Sequence, residues 1–324
     1  MISIVIVSYK TRDILRGCLT ALWAHPPGFE MEVFVVDNHS ADGSTQMVRR
    51  EFPQVRLIAN SENRGFAAAN NQAFRLAKGR YVVLLNPDAF VKPGAINAAV
   101  AFMEHTPQCG ISGARLVDPR GRLDPSARRF PTWPAKLFTL SGMSSRYPSS
   151  PVFNRHDFGG FAHDRPRKVD WVPGTFAVLR ARMLAEIGFF DERFFIYYEE
   201  TDLCRRARHN GWQVYFAPDA EVVHIGGACS QTRTDKVYDP AGAQVLSFRM
   251  RSEWLYHRKN GGLLTVLANA GVELGWHLLR LWINRLPGRP AALSKRTASA
   301  NVIRMIRQTL HDTAFGRRSP AAPW

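Results

Sequence analysis

Ile2-Ser3-Ile4-Val5-Ile6-Val7 opens the chain as a nearly unbroken apolar run rich in β-branched residues, and Ser8-Tyr9 follows it. A short run of this kind, without polar alternation, is the pattern of a strand buried on both faces of a parallel sheet. Two later stretches repeat it: Val33-Phe34-Val35-Val36 runs into Asp37-Asn38, and Tyr81-Val82-Val83-Leu84-Leu85 runs into Asn86-Pro87-Asp88. Between the first two, Ile14, Leu15, Cys18, Leu19, Leu22 and Trp23 fall at helical spacing, and Pro26-Pro27-Gly28 stops the run. Asp42–Phe52 reads as a helix, Val55–Ile58 as a strand, and Phe66–Lys78 as a helix closed by Gly79 as its cap. The alternation predicts an α/β fold with a doubly wound, mostly parallel sheet. Ligands of such sheets bind outside the carboxyl ends of the strands. One polar residue at a strand end is an ordinary turn residue; three sets on neighbouring strands point to a site.

The chain has 324 residues, 45% hydrophobic and 22% charged. That composition excludes disordered, collagen-like and disulfide-scaffold proteins. Lys and Arg exceed Asp and Glu by 43 to 27, a net charge of +16, which predicts an anionic partner. Cys18, Cys109, Cys204 and Cys229 form no Cys-x-x-Cys pair, which argues against a zinc knuckle and suits a reduced, cytosolic setting. The opening apolar run lacks a basic leader, so no signal peptide is expected.

Pro119 to Pro166 holds seven prolines and no clear period, and reads as a long irregular segment. Val169–Arg180 then reads as a strand, followed by a short helix to Ile187. Glu199–His209 reads as a helix stopped by Asn210-Gly211, and Trp212–Phe216 and Glu221–His224 as two further strands. From Leu246 onward thirteen Lys and Arg face three acidic residues. Gly262–Ile283 is apolar but contains Glu273, His277 and Arg280, which weigh against a spanning helix. A helix lying on an anionic membrane and a docked soluble helix both remain open. The chain is accordingly divided at 1–118, 119–245 and 246–324, the last a basic helical extension.

The chemistry begins with absences. No Gly-x-Gly-x-x-Gly follows the first strand, and there is neither a Walker A loop nor a Gly-x-Ser-x-Gly elbow. A carboxylate presented from the turn at Asn86-Pro87-Asp88 suits Mg²⁺ or Mn²⁺, with diphosphate oxygens filling other positions. His224, ending a late strand, is a candidate nitrogen ligand. Glu199-Glu200-Thr201-Asp202 is the densest acidic cluster, preceded by Phe194-Phe195-Ile196-Tyr197-Tyr198. Helix dipoles account for one or two acids in a first turn. Three beside an aromatic run suit a desolvated general base.

These stretches, with Asp37–Ser44, Asn63–Asn71, Trp171-Val172-Pro173-Gly174 and Gly188–Phe195, stand in an order that resembles glycosyltransferase family 2 enzymes of the GT-A fold. The chain is most similar to bacterial rhamnosyltransferase-type members that build cell-surface polysaccharide. The resemblance implies that Ser8, Tyr9 and Asp37, with Asn38, hold the donor's base and ribose. It places Asn63, Gly65, Phe66 and Asn70 along the nucleotide and sugar, with Asn86 beside them. Asn86-Pro87-Asp88 matches the family's Asp-x-Asp metal motif with Asn in the first position, so Asp88 and His224 are the implied metal ligands. The family's catalytic pair falls on Glu199-Glu200, with Glu200 the base and Glu199 and Asp202 its competitors.

The implied reaction is a single displacement with inversion, using a nucleotide-diphosphate sugar such as dTDP-rhamnose. A UDP-sugar-dependent hexosyl- or galactofuranosyltransferase is the alternative. Trp171, Gly174 and Arg128, with Arg129, are expected at the acceptor, a glycan or lipid-linked saccharide. The implied location is cytoplasmic, peripheral on the inner face of the membrane. A nucleic-acid partner is disfavoured, because the strand ends carry acids and the excess positive charge lies after the sheet.

Overall fold

The computed structural model describes residues 1–226, 243–285 and 292–320. The strands are β1 (Ile2–Ser8), β2 (Met31–Asp37), β3 (Arg56–Ala59), β4 (Tyr81–Leu85), β5 (Ala89–Val91), β6 (Cys109–Val117), β7 (Leu123–Asp124), β8 (Arg167–Lys168), β9 (Phe176–Arg180) and β10 (Gln213–His224). The helices are α1 (Arg12–Ala24), α2 (Ser44–Glu51), α3 (Phe66–Phe74), α4 (Ala95–His105), α5 (Trp133–Leu140), α6 (Met143–Arg146), α7 (Ala181–Ile187), α8 (Glu199–His209), α9 (Ala243–Ile283) and α10 (Ala292–Asp312). Two compact units form: residues 1–128 with 162–240, and residues 129–161 with 241–324. Residues 129–161 group with the later helices.

The first unit carries the sheet, in the order β3-β2-β1-β4-β9-β6-β10-β5, with β7 on β6 and β8 on β10. β1 to β4 are mutually parallel, and β9 is an antiparallel insertion between β4 and β6. The expected α/β class with a mostly parallel sheet is what the chain adopts. Ile4, Ile6, Val33, Val35, Val83 and Leu85 fill the core on one face, and Val5, Val7, Phe34, Val36, Val82 and Leu84 are buried on the other, which explains why these strands are apolar without alternation. Ser8 lies opposite Asp37 across the β1–β2 pairing. Right after Asp88 the chain turns into β5, antiparallel to β10, with Ala89 opposite His224. β7 folds back on β6 with Asp124 opposite Leu116. Three short pairings thus collect side chains that are far apart in sequence.

Several elements differ from their sequence readings. α3 ends at Phe74, and Gly79 is no cap: its N–H donates to Ser3 Oγ at 2.8 Å, and a Cβ there would lie 2.5 Å from the Ser3 backbone nitrogen. Of Val169–Arg180 only Phe176–Arg180 is strand, although Trp171 forms a single bridge with Arg128. The two late strands are one, β10. A register shift between Ala217 and Glu221 accommodates Pro218, which has no N–H for the ladder. The proline-rich stretch holds β7, α5 and α6, and Pro134 sits in the first turn of α5, where its missing N–H costs nothing.

The second unit is helical. Met250, Trp254, Val266, Ala270 and Ile306 form its core, and Trp254 Nε1 donates to Thr309 Oγ1 at 2.9 Å. α9 breaks at Gly262, whose φ of 75° and ψ of −170° are not helical. Lys136 of α5 is half-buried between Glu253, at 2.9 Å, and Glu273.

Candidate active site

At the ends of β1 and β2 the side chains are buried and nearly all engaged. Ser8 Oγ shares a 2.9 Å hydrogen bond with Thr11 Oγ1, and Tyr9 is half-buried with Lys10 Nζ 5.5 Å from its ring centre. Asp37 is 3% exposed; its Oδ2 accepts the Ser40 N–H at 3.1 Å, while its Oδ1 has no partner among the described residues. A buried carboxylate oxygen left over in this way is an acceptor awaiting a donor. Asn38 Nδ2 donates to Asn63 Oδ1 at 2.7 Å and to the Gly65 carbonyl at 3.2 Å. Its Oδ1 accepts from Asn60 Nδ2 and the Arg64 N–H. Asn38 and Asn63 therefore lock the loop that leads into α3.

Gly65 allows a close approach, with φ 82°, but what approaches is protein. A Cβ there would lie 2.5 Å from the Phe195 ring and carbonyl, and the Phe66 N–H donates to that carbonyl at 2.6 Å. Asn70 Nδ2 turns back to the Phe66 carbonyl at 2.8 Å. Asn71, given no role above, pins the 190–192 loop through the Phe190 carbonyl and N–H and Glu192 Oε1.

Asp88 is 4% exposed and lies 3.8 Å from His224 Nε2. His224 Nδ1 meets Asp124 Oδ2 at 3.3 Å. With its proton on Nδ1, His224 donates to Asp124 and turns the Nε2 lone pair toward Asp88. Asp124 was missed in the sequence because it sits in the proline-rich stretch and reaches His224 only through β7. Among the described residues no three such side chains form a ready-made metal cage. One carboxylate and one imidazole suit an ion that draws its other ligands from phosphate and water, so the donor set fits Mg²⁺ or Mn²⁺. The Asn86 N–H donates to the Thr175 carbonyl at 2.9 Å and ties this corner to the acid corner.

The acid corner is the first turn of α8. Tyr197 and Tyr198 precede it with φ of 71° and 69°, a pair of strained left-handed residues. Glu199 is 4% exposed and Glu200 half-buried, and neither Oε2 has a hydrogen-bond partner among the described residues. Burial pushes the Glu200 carboxyl up to about 7, against backbone hydrogen bonds and the positive charge of Arg128. Burial, and secondly the charge on Glu200, hold Glu199 well above the ordinary carboxyl range. Asp202 is different: its Oδ2 pairs with Arg206 Nε at 2.9 Å, and that guanidinium also holds the Ile187 and Phe189 carbonyls.

Arg128, Trp171 and Gly174 gather near Glu200. The Arg128 guanidinium lies 5.6 Å from the Trp171 ring centre, and a Cβ on Gly174 would be 3.9 Å from Glu200 Cβ. Arg129 turns instead to the Phe158 ring, at 4.7 Å.

A model described as glycosyl transferase family 2 matches residues 3–187, more than half of the chain. The N-acetylglucosaminyl-diphospho-decaprenol L-rhamnosyltransferase of Mycobacterium tuberculosis is 29% identical over 218 residues, 60% of this chain and 66% of that protein. The rhamnosyltransferase WbbL of Escherichia coli is 23% identical over 234 residues, 69% of this chain and 83% of that protein. In fold, the chain is similar to the mannosyltransferase PcManGT of Pyrobaculum calidifontis, solved with GDP-Man and Mn²⁺. The TM-score is 0.56 at 17% identity, over 98% of this chain and 86% of that one. The chain belongs to glycosyl transferase family 2, and is a glycosyltransferase similar to bacterial rhamnosyltransferases.

Proposed function

We propose that this enzyme transfers rhamnose from dTDP-rhamnose, with inversion, to a hydroxyl of a glycan or lipid-linked saccharide in cell-surface polysaccharide synthesis. The observation that carries the reaction is Glu200. It is a carboxyl raised to about 7 at the start of α8, with one oxygen that no described residue engages and Arg128, Trp171 and Gly174 around it. A base poised near neutrality can take a proton and stay ionised often enough to act. Glu200 accepts the proton of the acceptor hydroxyl as its oxygen bonds to the anomeric carbon. The bond from that carbon to the diphosphate oxygen breaks on the opposite face, and the nucleoside diphosphate leaves with the electron pair.

Asp37, whose buried Oδ1 no described residue engages, accepts a hydrogen bond from the donor's base or ribose in this proposal, with Ser8 and Tyr9 beside it. Asp88 and His224 would hold the divalent ion, and Asp124 orients His224. When bound, the ion offsets charge on the diphosphate. Mn²⁺ accompanies the mannosyltransferase neighbour and also the GalNAc-T7 structure, which matches at a TM-score of 0.55 and 14% identity. The rhamnosyl group and the lipid-diphosphate acceptor are supported by the mycobacterial relative, an N-acetylglucosaminyl-diphospho-decaprenol L-rhamnosyltransferase.

The test is depletion of a panel of nucleotide sugars in the presence of Mn²⁺ and a GlcNAc-diphosphate-lipid acceptor. The proposal expects dTDP-rhamnose alone to be consumed. Consumption of a UDP-hexose instead would reassign the donor, and consumption of none would remove the proposed reaction.

A further inference from the structure

The second half of α9 is amphipathic in the reverse sense. Every exposed residue between 263 and 283 is apolar or glycine, and Leu264 is 81% exposed, Trp282 63% and Leu278 50%. Leu263, Leu267 and Leu279 are exposed with them. At 100° per residue these side chains cover one continuous half of the helix. The opposite half is buried: Val266 and Ala270 sit in the unit's core, Asn269, Glu273 and His277 beside them are each 6% exposed or less, and Glu273 pairs with Lys136. A helix with one side held by protein and its apolar side bare needs an apolar partner.

We propose that this face lies in the boundary between headgroups and acyl chains of an anionic bilayer. Charge selects that partner. From Leu246 onward the chain holds thirteen Lys and Arg against three acids, and Lys259, Arg285, Lys295, Arg296, Arg304 and Arg307 are exposed. Such a surface repels a second copy of itself and is attracted to anionic lipid. Arg258 and Lys259 precede the break at Gly262, and Trp282 and Arg285 close the far end, so the apolar face is bracketed by interfacial anchors. Gln244–Ile283 is long and apolar enough to cross a membrane. A crossing would carry the ion-paired Glu273 and the buried Asn269 into hydrocarbon, whereas lying flat immerses only the bare side. The inference does not rest on which sugar is transferred.

The full chain is sedimented with vesicles of phosphatidylcholine alone and with added phosphatidylglycerol. Uptake by the anionic vesicles is expected, and Leu264→Gln/Leu278→Gln/Trp282→Gln should lower it roughly 50-fold. Trp282→Phe is a second variant that keeps the apolar surface. It should bind like the parent and lose the part of the fluorescence quenching by bromine-labelled lipid that Trp282 contributes. Parent-level uptake of the triple variant, or unchanged quenching in Trp282→Phe, would overturn the proposal. Equal uptake by neutral vesicles would overturn its anionic part. No vesicle uptake, with a dimer in sedimentation velocity that the triple variant abolishes, would assign the face to a second copy.

Discussion

Each compact unit holds a pair of glutamates largely withdrawn from water, and the two pairs are treated in opposite ways. In the helical unit Glu253 and Glu273 share Lys136 between them. Burial works against the charge on every member, yet Lys136 and its neighbours hold Glu253 below the ordinary carboxyl range while Glu273 is raised. The pair is electrically answered by protein, and it ties α5 to α9. In the sheet unit no cation among the described residues forms an ion pair with Glu199 or Glu200, and two strained tyrosines precede them. A buried acid pair with its own cation is architecture. One left raised at the end of a strained turn is a site.

The largest expected effect comes from removing the raised carboxylate. Glu200→Gln should cut turnover roughly 10²–10⁴-fold with donor affinity nearly intact, measured by steady-state kinetics and calorimetry with dTDP-rhamnose. Its melting temperature at pH 8 should hold or rise. A carboxyl raised in the folded state contributes stability below its unfolded value that is lost as pH passes through about 7, and Gln has no such loss. The answered pair predicts the reverse. Lys136→Met strands two buried carboxylates and should destabilise the protein by about 3–5 kcal/mol in urea unfolding. Lys136→Met/Glu253→Gln/Glu273→Gln should recover most of that, because the charges leave together. Equal stability of Lys136→Met and the parent would erase the contrast.

Asp88, His224 and Asp124 sharpen the comparison as a third case, in which the compensating charge is expected from a metal ion. Asp124→Asn should weaken Mn²⁺ binding about 10–100-fold in electron paramagnetic resonance titrations with dTDP present. Unchanged affinity would leave Asp124 with no part in orienting His224.

The sequence carried the strand ends because they are local. A buried parallel strand is legible from its own residues, and Ser8, Asp37 and Asp88 stand where the apolar run stops. Gly65 was placed along the donor through resemblance, but the group packed against it, Phe195, lies 130 residues away and only folding identifies it. Asp124 was illegible as a member of the site for the same reason, since β7 brings it there, and Asn71, inside the Asn63–Asn71 stretch, gave no sign of its hold on the 190–192 loop. α5 was hidden by the prolines around it, since its packing partner is α9 and its own apolar period is short. Glu200 emerged over Glu199 and Asp202 through resemblance, and Arg206 then accounts for Asp202.

The most direct test of the contrast is the pH dependence of turnover. The parent enzyme should lose activity below a midpoint near pH 7, because Glu200 must be ionised to accept a proton. Arg128→Met, which removes a charge that favours the ionised form, should move that midpoint upward, and the residual turnover of Glu200→Gln should lack the limb altogether. A midpoint near 7 that persists in Glu200→Gln would contradict the account.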